Sequence, residues 1–386
     1  MQKRHKWLQM VIGMSSFFIL TSCGVETKQL ERLGLITAIG FDLKKENEIT
    51  GTVAVSKFDP MAKVMTSLIS ADANTLQTLR AEENLATDQR LEMGQLRCVI
   101  YSKELAEKGI IQLVNALNRD PTVGNMVYLT IAEKDALSII EMDEKKIKVN
   151  IGTYLYNLIR QNVERELLIS PTLHEFNHKF FDNGQDPVLP ILKVAKDKVA
   201  ISGVALFNDD KMVARLSNDK LFYLKLLTDE YRTGSKELEF NRDEFANIID
   251  VQGGRSYGEI YNKLFISLDT LRSNTKIKLV DKKNLVFKVE VEMDSRLLET
   301  TNYLELSEPA NMKFIEKKVN KEMESQIKKL LVFFQENQVD PVGIGNEYMA
   351  HVRGTPISQK EWKEIYKNAK FDVQVDNTIA RTGTMD

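Results

Sequence analysis

The sequence predicts an α+β protein of more than one domain, with mixed β-sheets flanked by α-helices, and three observations carry that expectation. Between residues 33 and 132, β-branched runs alternate with segments of helical apolar spacing, the pattern of helices packed on a sheet. Further on, Thr275 to Asp281 and Asn284 to Met293 alternate apolar and polar residues on either side of Lys282 and Lys283, as paired strands do. Finally, Phe314, Ile315, Val319, Met323, Ile327, Leu330, Leu331 and Phe334 recur in steps of mostly three and four, which predicts a long amphipathic helix over 312–335 in the C-terminal domain. The 386 residues, 43% hydrophobic and 28% charged, have ordinary globular composition and suffice for two cores.

In chain order, Leu33 to Leu43 and Ile49 to Val55 are β-rich around the charged turn Lys44 to Glu48, a hairpin. Leu76, Leu79 and Leu85 predict a helix within 74–86. A strand over 96–101, an amphipathic helix over 103–118 and a strand over 125–132 follow. Tyr154, Leu155, Leu158 and Ile159 open another helix, and a short one starts after Ser170 with Pro171 in its first turn. Asp186, Pro187 and Pro190 flank an extended segment. The charged break Lys196 to Lys198 precedes a new β-rich stretch over 199–207, which sets the expected domain boundary: 23–196, then 197–380, with a tail over 381–386. Lys211 to Leu216 completes a second hairpin, and 220–227 is helical.

The first 22 residues read as a leader rather than as fold. Lys3, Arg4, His5 and Lys6 are followed by an uncharged run from Trp7 to Leu20, too short for the roughly 20 residues of a spanning helix. Leu20, Thr21 and Ser22 then lead to Cys23 in the manner of a bacterial lipobox, whose cysteine is acylated and becomes the new N-terminus; the alternative is an uncleaved anchor with a chance cysteine. Loss of Lys3, Arg4 and Lys6 with the leader takes the formal charge from −2 to −5, so no general basic field exists for nucleic acid. Cys98, inside an apolar run, reads as a small buried hydrophobe.

One catalytic motif stands out. His174, Glu175 and His178 spell H-E-x-x-H, which on a helix places two imidazoles on one face for zinc with a glutamate to polarise water. No third ligand follows at a zincin's spacing, and Leu173, Phe176, Phe180 and Phe181 form the apolar stripe while the histidines point away from it. Gly253 with Gly254, and Gly343 with Gly345, lack the rest of a phosphate loop and read as turns. There is no G-x-S-x-G elbow. On the predicted 312–335 helix, lysines are interspersed with Glu316, Glu322 and Glu324, a solvated mixed-charge face. A chain without a nucleophile, a metal set or a cofactor loop reads as a binding or assembly component, with no cofactor and no catalytic residues.

Several segments together resemble the Ger(x)C family, the C-subunit lipoproteins of spore nutrient germinant receptors: Cys23 in its lipobox; Glu31-Arg32-Leu33-Gly34 leading into Ile36 to Asp42; Gly109-Ile110 followed by Asn118-Arg119-Asp120-Pro121; Asp186-Pro187-Val188-Leu189-Pro190; Gly203 to Phe207 with Asp210 to Val213; Asp340-Pro341-Val342-Gly343 ahead of Trp362; and Arg381-Thr382-Gly383. Ala214 and Gln95 depart from the pattern, where a glycine and a histidine are expected. The resemblance implies a non-catalytic subunit, lipid-anchored through Cys23 on the outer face of the spore inner membrane, that works with integral membrane A and B subunits. An anchored ectodomain contributes interfaces, so Arg119 and Asp120 after a helix end, and Asp186, Pro187 and Pro190 along a stiffened exposed edge, are candidate interface residues. For each, an ordinary structural role is the competing reading. Two rivals from other classes remain: a solute-binding lipoprotein of a transporter, which would carry an aromatic-lined cleft between its domains, and the zinc metallopeptidase.

Overall fold

A computed structural model describes residues 32–45, 48–56, 65–228, 232–249, 262–352 and 357–380. Cys23, the leader, Gly253, Gly254 and the 381–386 tail lie outside the described residues.

The first part of the chain runs β1 (Leu33–Leu43), β2 (Ile49–Ser56), β3 (Thr66–Ala73), α1 (Leu76–Leu85), β4 (Arg90–Glu92), β5 (Cys98–Ser102), α2 (Lys103–Lys108), α3 (Ile111–Asn118), β6 (Tyr128–Ala132), α4 (Ala136–Ile140), α5 (Glu144–Ile147), α6 (Ile151–Glu164), α7 (Leu173–Phe181), β7 (Val188–Ala195), β8 (Lys198–Asn208) and β9 (Lys211–Leu216). These nine strands make one sheet in the order β3-β2-β1-β5-β6-β7-β8-β9, with β4 beside β1. Its centre, β1-β5-β6-β7, is parallel, and an antiparallel hairpin extends it on each side. Helices cover both faces, so β5 and β6 are buried along their whole length, as the middle of a parallel sheet must be. Val99, Tyr101, Leu129 and Ile131 face a core shared with α1, α2, α3 and α7. Cys98 and Ile100 face the opposite core with α4 and α6, and that core runs on into the second sheet.

Short polar residues start the helices where the sequence supplies them. Thr75, Ser102, Asp135, Asp143, Asn150 and Thr172 each accept a hydrogen bond from a first-turn amide. Thr172 as the cap puts Pro171 just ahead of α7 rather than in its first turn. The helix expected over 103–118 is two helices, because Gly109 has a φ of 121° and the Asp210 carboxylate occupies the start of α3, accepting from the Ile111 amide at 3.1 Å.

After β9 come α8 (Asn218–Thr228), β10 (Gly234–Asn241), β11 (Lys263–Asp281), β12 (Val286–Thr300), α9 (Pro309–Glu336), α10 (Ile344–His351), α11 (Gln359–Tyr366) and β13 (Lys370–Ala380). The second sheet has the order β10-β11-β12-β13, antiparallel except for the parallel β12–β13 pair. The long amphipathic α9 lays Met312, Ile315, Val319, Met323, Ile327, Leu330, Leu331 and Phe334 on the inner face of this sheet. The expected boundary between residues 196 and 197 falls in the turn of the β7–β8 hairpin, where Ala195 pairs with Lys198. By hydrogen bonding, the first sheet therefore runs on to Leu216, and the change of sheet comes between Leu216 and Gly234.

Candidate functional site at the junction of the two sheets

The H-E-x-x-H residues lie on α7 as the pattern requires, but His174 and His178 do not converge on a cleft: their ring centroids are 6.4 Å apart on the outer side of the helix. Among the described residues no group of three or more His, Cys, Asp and Glu side chains comes together to hold a metal. Cys98 is fully buried 3.8 Å from the Thr130 hydroxyl, and burial pushes its thiol up to about 12, which keeps it protonated and unreactive.

Arg119 is exposed just past α3, consistent with a presented residue. Asp120 instead serves its own turn. It accepts from the Thr122 amide at 2.9 Å and the Thr122 hydroxyl at 2.6 Å, and it forms an ion pair with Arg80 on α1. Burial alone would raise its pKa, but these partners hold it below the usual carboxylate range.

Asp186, Pro187 and Pro190 correct the sequence expectation, because all three are buried. They edge nothing: β7 lies between β6 and β8 in the sheet, and Pro190 pairs with Val204. Asp186 reaches across to the second half of the chain. Its backbone N–H donates to the Asp340 carbonyl at 2.9 Å, and its Oδ2 accepts from the Asp340 amide at 2.7 Å. Its Oδ1 accepts from Lys363 Nζ at 2.8 Å and from Gln359 Nε2 at 2.9 Å, both one turn apart on α11. Lys363 Nζ also donates to Asn208 Oδ1 at 2.6 Å, at the end of β8. Burial raises the pKa of Asp186, and the Lys363 charge opposes that rise.

Asp340 is the second carboxylate of the junction. Its Oδ1 accepts from the Gly343 and Ile344 amides at 2.9 and 3.0 Å, and its Oδ2 from the Gly345 amide at 2.7 Å and Trp362 Nε1 at 3.1 Å. The amides at the start of α10, where a phosphate would otherwise be cradled, are thus already satisfied by a carboxylate of the chain itself. Burial pushes Asp340 up to about 7 against the pull of those amides. Around this pair the backbones touch. A Cβ on Gly345 would stand 2.6 Å from Gly184 Cα and 2.7 Å from Trp362 Nε1, so only glycine fits. Gln185 Nε2 donates to the Pro341 carbonyl at 2.9 Å, and Asn346 Nδ2 to Asp182 Oδ2 at 2.8 Å.

Two short segments 154 residues apart, around Asp186 and Asp340, are therefore bonded to each other and to α11 in a water-excluded joint. Lys363, Gln359 and Asn208 escaped the sequence reading. Their one visible signal was a lysine between two aromatics, Trp362 and Tyr366, on the buried face of a helix.

The fold is a two-sheet α+β architecture whose two sheets meet at this joint. In fold it is similar to the crystal structure of the GerBC protein, with a TM-score of 0.51 and 17% identity, covering 88% of this chain and 96% of that one. The family model for the spore germination protein N-terminal domain matches residues 26–194, and that for the spore germination B3/GerAC-like C-terminal domain matches 202–383. The chain belongs to this spore germination family. It is 26% identical over 382 residues to spore germination protein GerQC of Bacillus cereus, covering 99% of each, and 23% identical over 407 residues to spore germination protein KC of Bacillus subtilis (strain 168), covering 98% of this chain and 96% of that one.

Proposed function

We propose that the chain is the lipid-anchored, non-catalytic C subunit of a spore nutrient germinant receptor, held by an acylated Cys23 on the outer face of the spore inner membrane and working with integral membrane A and B subunits. The observation that carries this reading is the match of both halves of the chain to the spore germination family models. The lipobox at Leu20 to Cys23 supplies the anchor, and no described helix is long and apolar enough to cross a membrane. The buried charges serve a structural joint, which supports a role in assembly and relay rather than chemistry.

Crosslinking of the native protein in spore membranes, read by mass spectrometry, tests the proposal. Crosslinks to two integral membrane receptor subunits, lost when Cys23→Ala releases the chain, are the expected result. Crosslinks to a transporter permease would overturn it.

A further inference from the structure

The charges of α9 are sorted by the fold in a way the sequence does not reveal. Its acidic residues turn inward or are occupied: Glu316 Oε1 accepts from the Ile379 amide at 2.9 Å, Glu324 Oε1 from the Val375 amide at 3.1 Å, and Glu322 Oε1 from Gln326 Nε2 at 2.7 Å. Lys318 pairs with Glu244 at 2.5 Å. What is left facing water is a row of lysines, Lys313, Lys317, Lys321, Lys328 and Lys329, all exposed, and none forms an ion pair or hydrogen bond among the described residues. Glu336 is the one exposed acid on the helix, at its far end.

With 3.6 residues per turn, Lys317, Lys321 and Lys328 fall within about 40° of one another, opposite the buried face, and the row from Lys313 to Lys328 is about 22 Å long. Lys313, Lys317 and Lys321 are spaced i, i+4, i+8, where like charges repel and weaken a helix. A concentrated, self-repelling cationic stripe is relieved by an anionic surface. The covalent chain between Cys23 and Arg32 reaches at most about 30 Å, so an anchored body stays close to the bilayer.

We infer that the α9 lysine stripe is a membrane-facing surface that binds anionic phospholipid headgroups and orients the anchored body. The membrane setting rests on the proposed lipid anchor, while the lipid-binding chemistry belongs to the stripe alone. The test uses the chain from residue 23 onward carrying Cys23→Ala, which has neither an acyl group nor the basic, apolar leader, sedimented with vesicles of phosphatidylcholine alone or mixed with phosphatidylglycerol. Partition onto the anionic vesicles is expected to exceed that onto neutral ones and to fall with added salt. Each lysine at the surface contributes about five-fold, so Lys317→Gln with Lys321→Gln and Lys328→Gln lowers the partition about a hundred-fold at low salt. The substituted side chains are exposed and their mutual repulsion is relieved, so a melting temperature equal to or slightly above that of the parent chain establishes that the variant is folded. Equal partition of the two chains, or no preference for anionic lipid, overturns the inference; that includes the case in which the stripe serves an acidic protein instead. Whether Cys23 is acylated is read separately from the intact mass of the native chain, so failure of the anchor and failure of the stripe are distinguishable.

Discussion

Lys363 is 8% exposed and holds its ammonium between Asp186 and Asn208, so its removal leaves a buried carboxylate with its counter-charge gone. Lys363→Met is expected to destabilise the protein by about 3–5 kcal/mol, read as a lower urea midpoint, whereas adding Asp186→Asn removes both charges and loses less than Lys363→Met alone. Equal losses in the single and double variants would show that packing, not the ion pair, holds the joint. Glu83 is a different buried carboxyl: it lies on the inner face of α1, its Oε1 has no hydrogen-bond partner, and burial pushes it up to about 7 with Arg80 opposing. The folded chain thus binds this proton more tightly than the unfolded chain does. The stabilisation is full below the ordinary value of 4.5 and is lost as pH rises through about 7. Glu83→Gln should flatten the fall of the thermal midpoint across that window. At this scale the sequence was least informative. Asp186 could be singled out by its flanking prolines, but not its burial, because its partner Lys363 lies 177 residues away. For the H-E-x-x-H segment the apolar stripe was the better guide: Leu173 and Phe176 are buried, and His174 and His178 stand on the outer side of the helix, as their position off that stripe implied.

Parallel pairing leaves β13 at the edge of the second sheet with outward amides at Val375, Asn377 and Ile379. Glu324, Asn320 and Glu316, one turn apart on α9, accept from these three amides at 3.1, 3.2 and 2.9 Å, which closes the edge against pairing with another chain. Glu316→Ala and Glu324→Ala should each cost about 1 kcal/mol and speed hydrogen exchange at Ile379 and Val375 respectively, leaving Asn377 protected. Unchanged exchange would mean the strand edge is covered by other groups. The α9 helix itself was legible, because its buried apolar residues keep one period from Met312 to Phe334, but its acids could be assigned only once β13 lay beside them. The strands β11 and β12 were legible too, and run longer than expected at both outer ends. By contrast β10, with Leu238 and Phe240 as its buried apolar residues, and β3, with Thr66 and Ala73 at its buried ends, are edge strands too polar to announce themselves. Gly109 and Asp210 show the same limit: the break between α2 and α3 is made by a carboxylate 99 residues from the amide it accepts.

The two sheets are joined where Gly184 and Gly345 leave no room for a side chain, and the Asp186 and Asp340 bonds close over that contact. Gly345→Val must push backbone from backbone, since its Cβ would stand 2.8 Å from the Gly184 carbonyl oxygen as well as 2.6 Å from Gly184 Cα. Each sheet keeps its own helices and buried strands, so the expected damage, about 1–3 kcal/mol, falls on the joint and spares the secondary structure. A single calorimetric transition is expected of the native chain and two of the variant, with far-ultraviolet circular dichroism unchanged at low temperature. A single transition at lower temperature would mean that the core shared between α6, α8 and the second sheet couples the halves without the joint. The outcome bears on function through the receptor reading. If a C subunit relays between its partners, spores carrying Gly345→Val should retain the lipoprotein in the membrane yet respond weakly to nutrient, whereas Cys23→Ala should remove it from the membrane altogether.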